Sequence, residues 1–223
     1  MLVVAPLRLA TATEARYVGR SMSSLILDES GTTALTARIL EHGRALARPC
    51  VVAVDGRSGA GKSTLAAKIA EGLEACVLDS DDFFAGGVTV RSDAPEDRVR
   101  DCIDWKRQRP VLEALRAGRQ ASYFGFDWDA FDGRLHTEPT VVEPRSFVLF
   151  EGVYTARPEL ADLVDLRVLL WVSEATRVAR LLAREGSIGA WERQWHEAEE
   201  WYFARVVPSH LFDLVLREPP KEG

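Results

Sequence analysis

Short, almost wholly apolar runs alternate with amphipathic stretches along this chain, and the alternation sets the expected elements. "CVVAVD" (50–55), "ACVLDS" (75–80), "SFVLFEG" (146–152), "DLRVLLWVS" (165–173) and "LFDLVL" (211–216) have strand length. Runs that are apolar on both faces suit parallel strands covered from two sides. Between them, apolar residues return every three or four positions. Leu35, Ile39 and Leu46 predict a helix over about 32–47, closed by Pro49. Leu65, Ile69 and Leu73 predict a second, and Leu112 and Leu115 a third that Pro110 starts and Gly118 ends. Ser173 can cap a helix running to about Gly186. Trp191, Trp195, Ala198 and Tyr202 form one stripe of the next helix, ended by Pro208, and the stripe reads as packing. Residues 85–100 read as polar and irregular, and 121–143 as an aromatic-rich hairpin or excursion. Strands alternating with helices predict an α/β fold: a mostly parallel sheet of about five strands with helices on both faces.

One junction in this pattern carries chemistry. After the strand at 50–55 comes Gly56-Arg57-Ser58-Gly59-Ala60-Gly61-Lys62-Ser63, a full match to G-x-x-x-x-G-K-[ST] in its proper place between strand and helix. The glycines let backbone N–H groups turn around phosphate oxygens, and the helix N-terminus adds a favourable field. Lys62 would bridge the outer phosphates and the Ser63 hydroxyl would ligate Mg²⁺. Gly56, Ser58, Gly59, Ala60, Gly61, Lys62, Ser63 and Thr64 are thus the candidate nucleotide-binding residues of a P-loop NTPase fold.

Composition narrows the class. The chain has 223 residues, enough for one well-buried α/β domain, and a formal net charge of −6, which argues against broad binding to nucleic acid or anionic membrane. No apolar run reaches the roughly 18 residues of a membrane span. The opening "MLVVAPLRLATATEA" is short for a signal peptide and has no basic start. Cys50, Cys76 and Cys102 are widely spaced, as expected of reduced thiols in a cytoplasmic protein. There is no Asn, so the Asn-Lys-x-Asp segment by which GTPases read guanine is absent. A compact kinase acting on a small molecule fits the length; motor and transporter ATPases need more chain.

Two strands end in acid where open α/β sheets gather their chemistry. One ends in Asp79-Ser80-Asp81-Asp82-Phe83-Phe84, the other in Glu151-Gly152. Phosphoryl transfer to an alcohol needs one carboxylate to take the hydroxyl proton and one to support the metal. A turn solvated by the acids of 79–82 is the plainer alternative. Arg177, Arg180 and Arg184 fall at i, i+3 and i+7, one narrow helix side, where three cations could neutralise a transferring phosphoryl group.

Together these segments resemble the uridine kinase family of P-loop kinases, which also takes in nicotinamide riboside kinases, phosphoribulokinases and one type of pantothenate kinase. The glycine loop, "SDDFF", "IDWKRQRPVLEALRAGR", "FGFDW", "VLFEGVY" and "RVARLLARE" follow the family's order and spacing over roughly 48–216. The resemblance implies ATP and Mg²⁺ as cofactors and Asp81 as catalytic base, with Lys62 and Arg180 beside it. It implies Glu151 near the metal, Ser63 on it, and Arg177 and Arg184 on the donor from a helical lid over about 174–207. Asp104, Tyr123, Phe126 and Asp127 would meet the acceptor, a nucleoside or nucleoside-like compound. Two departures bear on that acceptor: no His follows the aromatic-Asp segment as in uridine-specific members, and the lid reads Arg184-Glu185-Gly186 rather than a run of arginines. A vitamin precursor such as pantothenate or a sugar phosphate is the alternative acceptor, and an ATP-binding regulatory protein the alternative from another class.

The expected organisation is an N-terminal extension (1–30), one kinase domain (31–217) with an acceptor-side excursion over about 85–143, and a disordered tail (218–223). Met22, before "SSLILDES", is a second candidate start. Self-association is left open.

Overall fold

The computed structural model describes residues 23–219; the candidate start at Met22 and most of the tail lie outside them. In chain order the elements are β1 (Ser23–Ile26), α1 (Glu29–Arg44), β2 (Cys50–Asp55), α2 (Lys62–Leu73), β3 (Cys76–Asp79), α3 (Pro95–Asp101) and α4 (Trp105–Arg116). There follow β4 (Ala121–Tyr123), β5 (Thr140–Val142), β6 (Phe147–Glu151), β7 (Leu166–Trp171), α5 (Glu174–Glu185), α6 (Ala190–Arg205) and β8 (Leu214–Arg217). One all-parallel sheet has the order β1-β8-β7-β2-β6-β3. β2 and β6 are buried along their whole length, the burial that their unbroken apolar runs call for.

Each face of the sheet has its own core. On one, Leu35 and Ile39 of α1 and Leu65 and Ile69 of α2 meet Val52, Val54 and Leu149. On the other, Val51, Val148 and Phe150 meet Leu112 and Leu115 of α4 and Ala198 and Tyr202 of α6. The loops at the carboxyl ends of the strands therefore stand on a rigid, two-sided base.

The structure corrects the sequence-based reading at several points. The sheet has six strands rather than about five. The extra strand, β1, lies within the stretch assigned to an N-terminal extension and pairs with β8 from Ser23↔Leu214 to Ile26↔Arg217. Four residues at a sheet edge, half of them exposed, are too few to declare a period. α1 begins at Glu29 because the Asp28 carboxylate accepts the Gly31 N–H at 2.7 Å. α4 begins at Trp105, not at Pro110: Asp104 caps it, and Pro110 sits in its second turn. α3 falls inside the stretch read as irregular. Elsewhere the reading holds: β4 pairs antiparallel with β5, within the hairpin or excursion expected over 121–143.

Candidate active site

β2 delivers the glycine loop with Asp55 at its base. The Asp55 carboxylate is fully buried and accepts four hydrogen bonds: from N–H of Gly56 (2.8 Å), Tyr154 (3.1 Å) and Ala156 (2.9 Å), and from the Tyr202 hydroxyl (3.0 Å). Burial pushes its pKa up to about 6, against those hydrogen bonds and the charge of Lys62. One carboxylate thus ties the loop to the segment after β6, and it holds Tyr154 at a φ of 67°, a conformation unusual for a non-glycine residue. Gly59 has a φ of 80°, and a Cβ there would lie 2.8 Å from the Arg177 carbonyl oxygen, so the α5 backbone can approach only a glycine. Lys62 opens α2, is nearly buried, and donates from Nζ to the Arg57 carbonyl at 3.4 Å, folding its ammonium across the loop.

Strand register brings the acids together. Asp79 is the cross-strand partner of Glu151, and Glu151 also lies opposite Val54, one residue before the loop's anchor. Gly152 closes this corner: with a φ of 134°, a Cβ there would meet the Ser80 side chain at 2.4 Å. Asp79 accepts the Asp81 N–H at 2.8 Å and so shapes the 3-10 turn Asp81–Phe83. Burial, with repulsion from Asp81 and Glu151, pushes Asp79 up to about 7. Asp81 opens onto the cavity yet is walled by protein; this partial removal from water raises its carboxyl, Lys62 and Arg184 oppose the rise, and Glu199 and Asp82 add to it. Glu151 is raised by burial, against a hydrogen bond from Ser63 and the charge of Lys62. Three carboxyls that each resist ionisation, beside a Ser hydroxyl and an ammonium, form an oxygen-rich place suited to a cation and phosphates. Among the described residues no three such side chains converge as a metal cage.

Above Ser63 and Asp81 opens a cavity of about 670 Å³. Phe84, Trp128, Phe131, Trp191 and Trp195 line it, with neighbouring ring centroids 5.0–6.2 Å apart. Trp128 donates from Nε1 to the Asp81 carbonyl (3.3 Å) and Trp191 to that of Gly87 (3.2 Å).

The structure brings Lys62, Ser63, Asp81 and Glu151 to one corner, with Ser58 and Arg184 on the cavity wall. It places the other arginines elsewhere. Arg177 is buried behind the loop, donating to the Ser58 carbonyl (3.0 Å) and to Glu174 (2.8 Å). Arg180 donates to the Ala60 carbonyl (2.6 Å) and, with Gly61 and Thr64, borders a second hollow on the far side of the loop. The four residues expected at the acceptor do not line the cavity. Asp104 is spent on the cap of α4, accepting from Lys106 (3.1 Å) and Arg107 (3.3 Å). Tyr123 donates to Asp82 at 2.6 Å, Phe126 packs beneath Phe84 and Trp128, and Asp127 accepts the Ala130 N–H at 2.9 Å in a turn.

Sequence reasoning missed Asp55 and Glu199; Trp191 and Trp195 pack against the core, as the stripe reads, and face the cavity as well. Trp191 and Trp195 wall the cavity, while Tyr202 of the same stripe is buried. Asp55 had a signal, an acid closing an otherwise apolar strand. Glu199 had none, being one of several acids in α6.

No family model matches this chain, and no curated protein does. Solved structures do. A proposed fructose transport system kinase from Silicibacter sp. superposes with a TM-score of 0.62 at 23% identity, over 82% of this chain and 98% of that one. A proposed uridine kinase from Bacillus stearothermophilus gives 0.59 at 18%, over 82% and 99%. D-glycerate 3-kinase from Cryptococcus neoformans var. grubii gives 0.56 at 15%, over 83% and 89%. These likenesses show the fold: the chain shares the parallel α/β architecture of these solved structures, with the glycine loop following β2.

Proposed function

We propose that this protein is an ATP- and Mg²⁺-dependent kinase that phosphorylates a hydroxyl of a small, nucleoside-like molecule. The observation that carries the reading is that Asp81 and Ser63 line one cavity, with Lys62 acting on Asp81 from the loop. The loop amides and Lys62 hold the donor phosphates. Ser63 and Glu151 would hold Mg²⁺, which when bound neutralises phosphate charge. Asp81 accepts a hydrogen bond from the acceptor hydroxyl and aims its oxygen. That oxygen bonds the γ-phosphorus as the bond to the bridging β–γ oxygen breaks; ADP leaves with the electron pair, and the acceptor's proton passes to Asp81. α5 and α6 cover the site and keep water from the γ-phosphate. A protein that only bound ATP would have no use for Asp81 at this position.

The test is ADP release from ATP and Mg²⁺ with a panel of nucleosides, vitamins and sugars. A nucleoside is expected to stimulate release; no stimulation by any acceptor would defeat the kinase reading.

A further inference from the structure

The cavity wall supplied by α6 has a composition that a phosphate donor does not explain. Five acids line the cavity, Asp79 and Asp81 at the end of β3, Glu185 of α5, and Glu192 and Glu199 of α6, against one guanidinium, Arg184 of α5; Asp79 and Asp81 resist ionisation. That guanidinium is already engaged, donating to Glu185 at 2.6 Å. His196 also lines the wall, and burial lowers its pKa, so it adds no cation near neutral pH. Sites that bind carboxylate or phosphate groups on an acceptor present Arg or Lys for them. Beyond the glycine loop, this wall presents none that is free of a carboxylate partner.

The same cavity presents aromatic faces. Trp191 and Trp195 are four residues apart on α6, so one helix face presents both, with ring centroids 5.7 Å apart. Trp128 and Phe131 continue the wall from the excursion, stacked at 24°. Trp128 and Phe131 are 40% and 38% exposed, so they offer ring surface rather than filling a core. Aromatic surface of this kind gains most from another flat ring, and it is sequence-tolerant because every heterocycle has a π-face.

Resting on the kinase reading above, we infer that α6 is the specificity element of the acceptor site. Trp191 and Trp195 select an acceptor carrying a flat ring, and Glu192 and Glu199, the acids that α6 brings to the lining, turn away acceptors that carry negative charge. Anionic acceptors such as D-glycerate and pantothenate are excluded by charge, and a non-planar sugar such as fructose gains little from the wall.

The test is binding to the full chain with the donor site filled by a non-hydrolysable ATP analogue and Mg²⁺, read by tryptophan fluorescence. The probes are cytidine and adenosine, D-glycerate and pantothenate, and fructose. Either nucleoside is expected to quench saturably, and the other three are not. Trp195→Ala should weaken nucleoside binding about tenfold or more, and Trp195→Phe, which keeps a ring face, should restore most of it. Saturable binding of D-glycerate, pantothenate or fructose, no quench by either nucleoside, or nucleoside binding indifferent to Trp195→Ala would each overturn the inference. A fluorescent ATP analogue titrated against wild type and Lys62→Ala keeps the two readings apart. Loss of ATP binding in the wild type defeats the donor site itself. Intact donor binding with a failed nucleoside arm defeats only the role given to α6.

Discussion

The Glu199 carboxylate of α6 accepts both the Ser58 hydroxyl and, at 3.1 Å, the Ser58 backbone N–H, so the glycine loop is gripped from the lid side. Glu199 is almost fully buried, and Arg57 Nε lies 3.8 Å from it. An anion thus sits on the loop proposed to hold the donor phosphates. Glu199→Gln keeps the shape and removes the charge. It should bind an ATP analogue more tightly, by roughly fivefold, or about 1 kcal/mol, and turn over more slowly because the lid grips less firmly. Calorimetric titration and steady-state ADP release would read the two effects; weaker nucleotide binding would show that the grip assists the donor rather than opposing it.

Asp81→Asn removes the group that takes the proton without disturbing the loop. Turnover should fall by about 10²–10⁴-fold, while ATP-analogue affinity stays within about threefold or improves. A variant retaining a tenth of wild-type turnover would remove Asp81 from the role of base.

Arg177 supports the loop from behind rather than meeting phosphate. Arg177→Ala strips a donor from the Ser58 carbonyl and a partner from Glu174. The expected cost is about 2–4 kcal/mol of stability, seen as a lower thermal midpoint, with KM for ATP raised more than kcat is lowered. Unchanged stability with lost kcat would return Arg177 to the transferring phosphoryl group.

Asp55 makes stability depend on pH with a definite sign. Its native pKa of about 6 lies above the ordinary aspartate value near 3.9. The folded state therefore holds the proton more tightly than the unfolded one, and stability falls as pH rises from about 4 to about 6. The fall attributable to this group is at most about 3 kcal/mol. Asp55→Asn should remove this group's share of the thermal-midpoint slope across that window; Asp79, Asp81 and Glu151, also raised, act with the same sign, and the lowered Asp93, Glu159, Asp165 and Glu174 with the opposite one. An unchanged slope would mean that Asp55 is ionised throughout.

The donor half of the site was legible because its geometry needs residues that nothing else explains. Turning amides inward requires glycines, and Lys62-Ser63 must follow at one place. The acids were legible because strand ends are visible as the close of apolar runs, and register does the rest, as with Asp79 and Glu151. Helical spacing put Arg177, Arg180 and Arg184 on one side of α5, and two of them, Arg177 and Arg180, donate to loop carbonyls. Periodicity fixes an angle and not a distance, so it could not tell a carbonyl on the loop's back from a phosphate in front. Glu199 was hidden because its partner lies 141 residues away. Asp104 caps α4, a task that a carboxylate before a helix takes as readily as a ligand's.

α6 carries Trp195 on the cavity wall and Glu199 on the loop, four residues and hence about one turn apart. On the proposed reading donor and acceptor both meet this helix, and their affinities are expected to be coupled. Whatever factor the donor applies to the acceptor's dissociation constant, the acceptor must apply to the donor's, since both routes end at the same ternary complex. The helix therefore makes the order of arrival a matter of kinetics alone, and the occupancy of either half of the site a measure of the concentration of both.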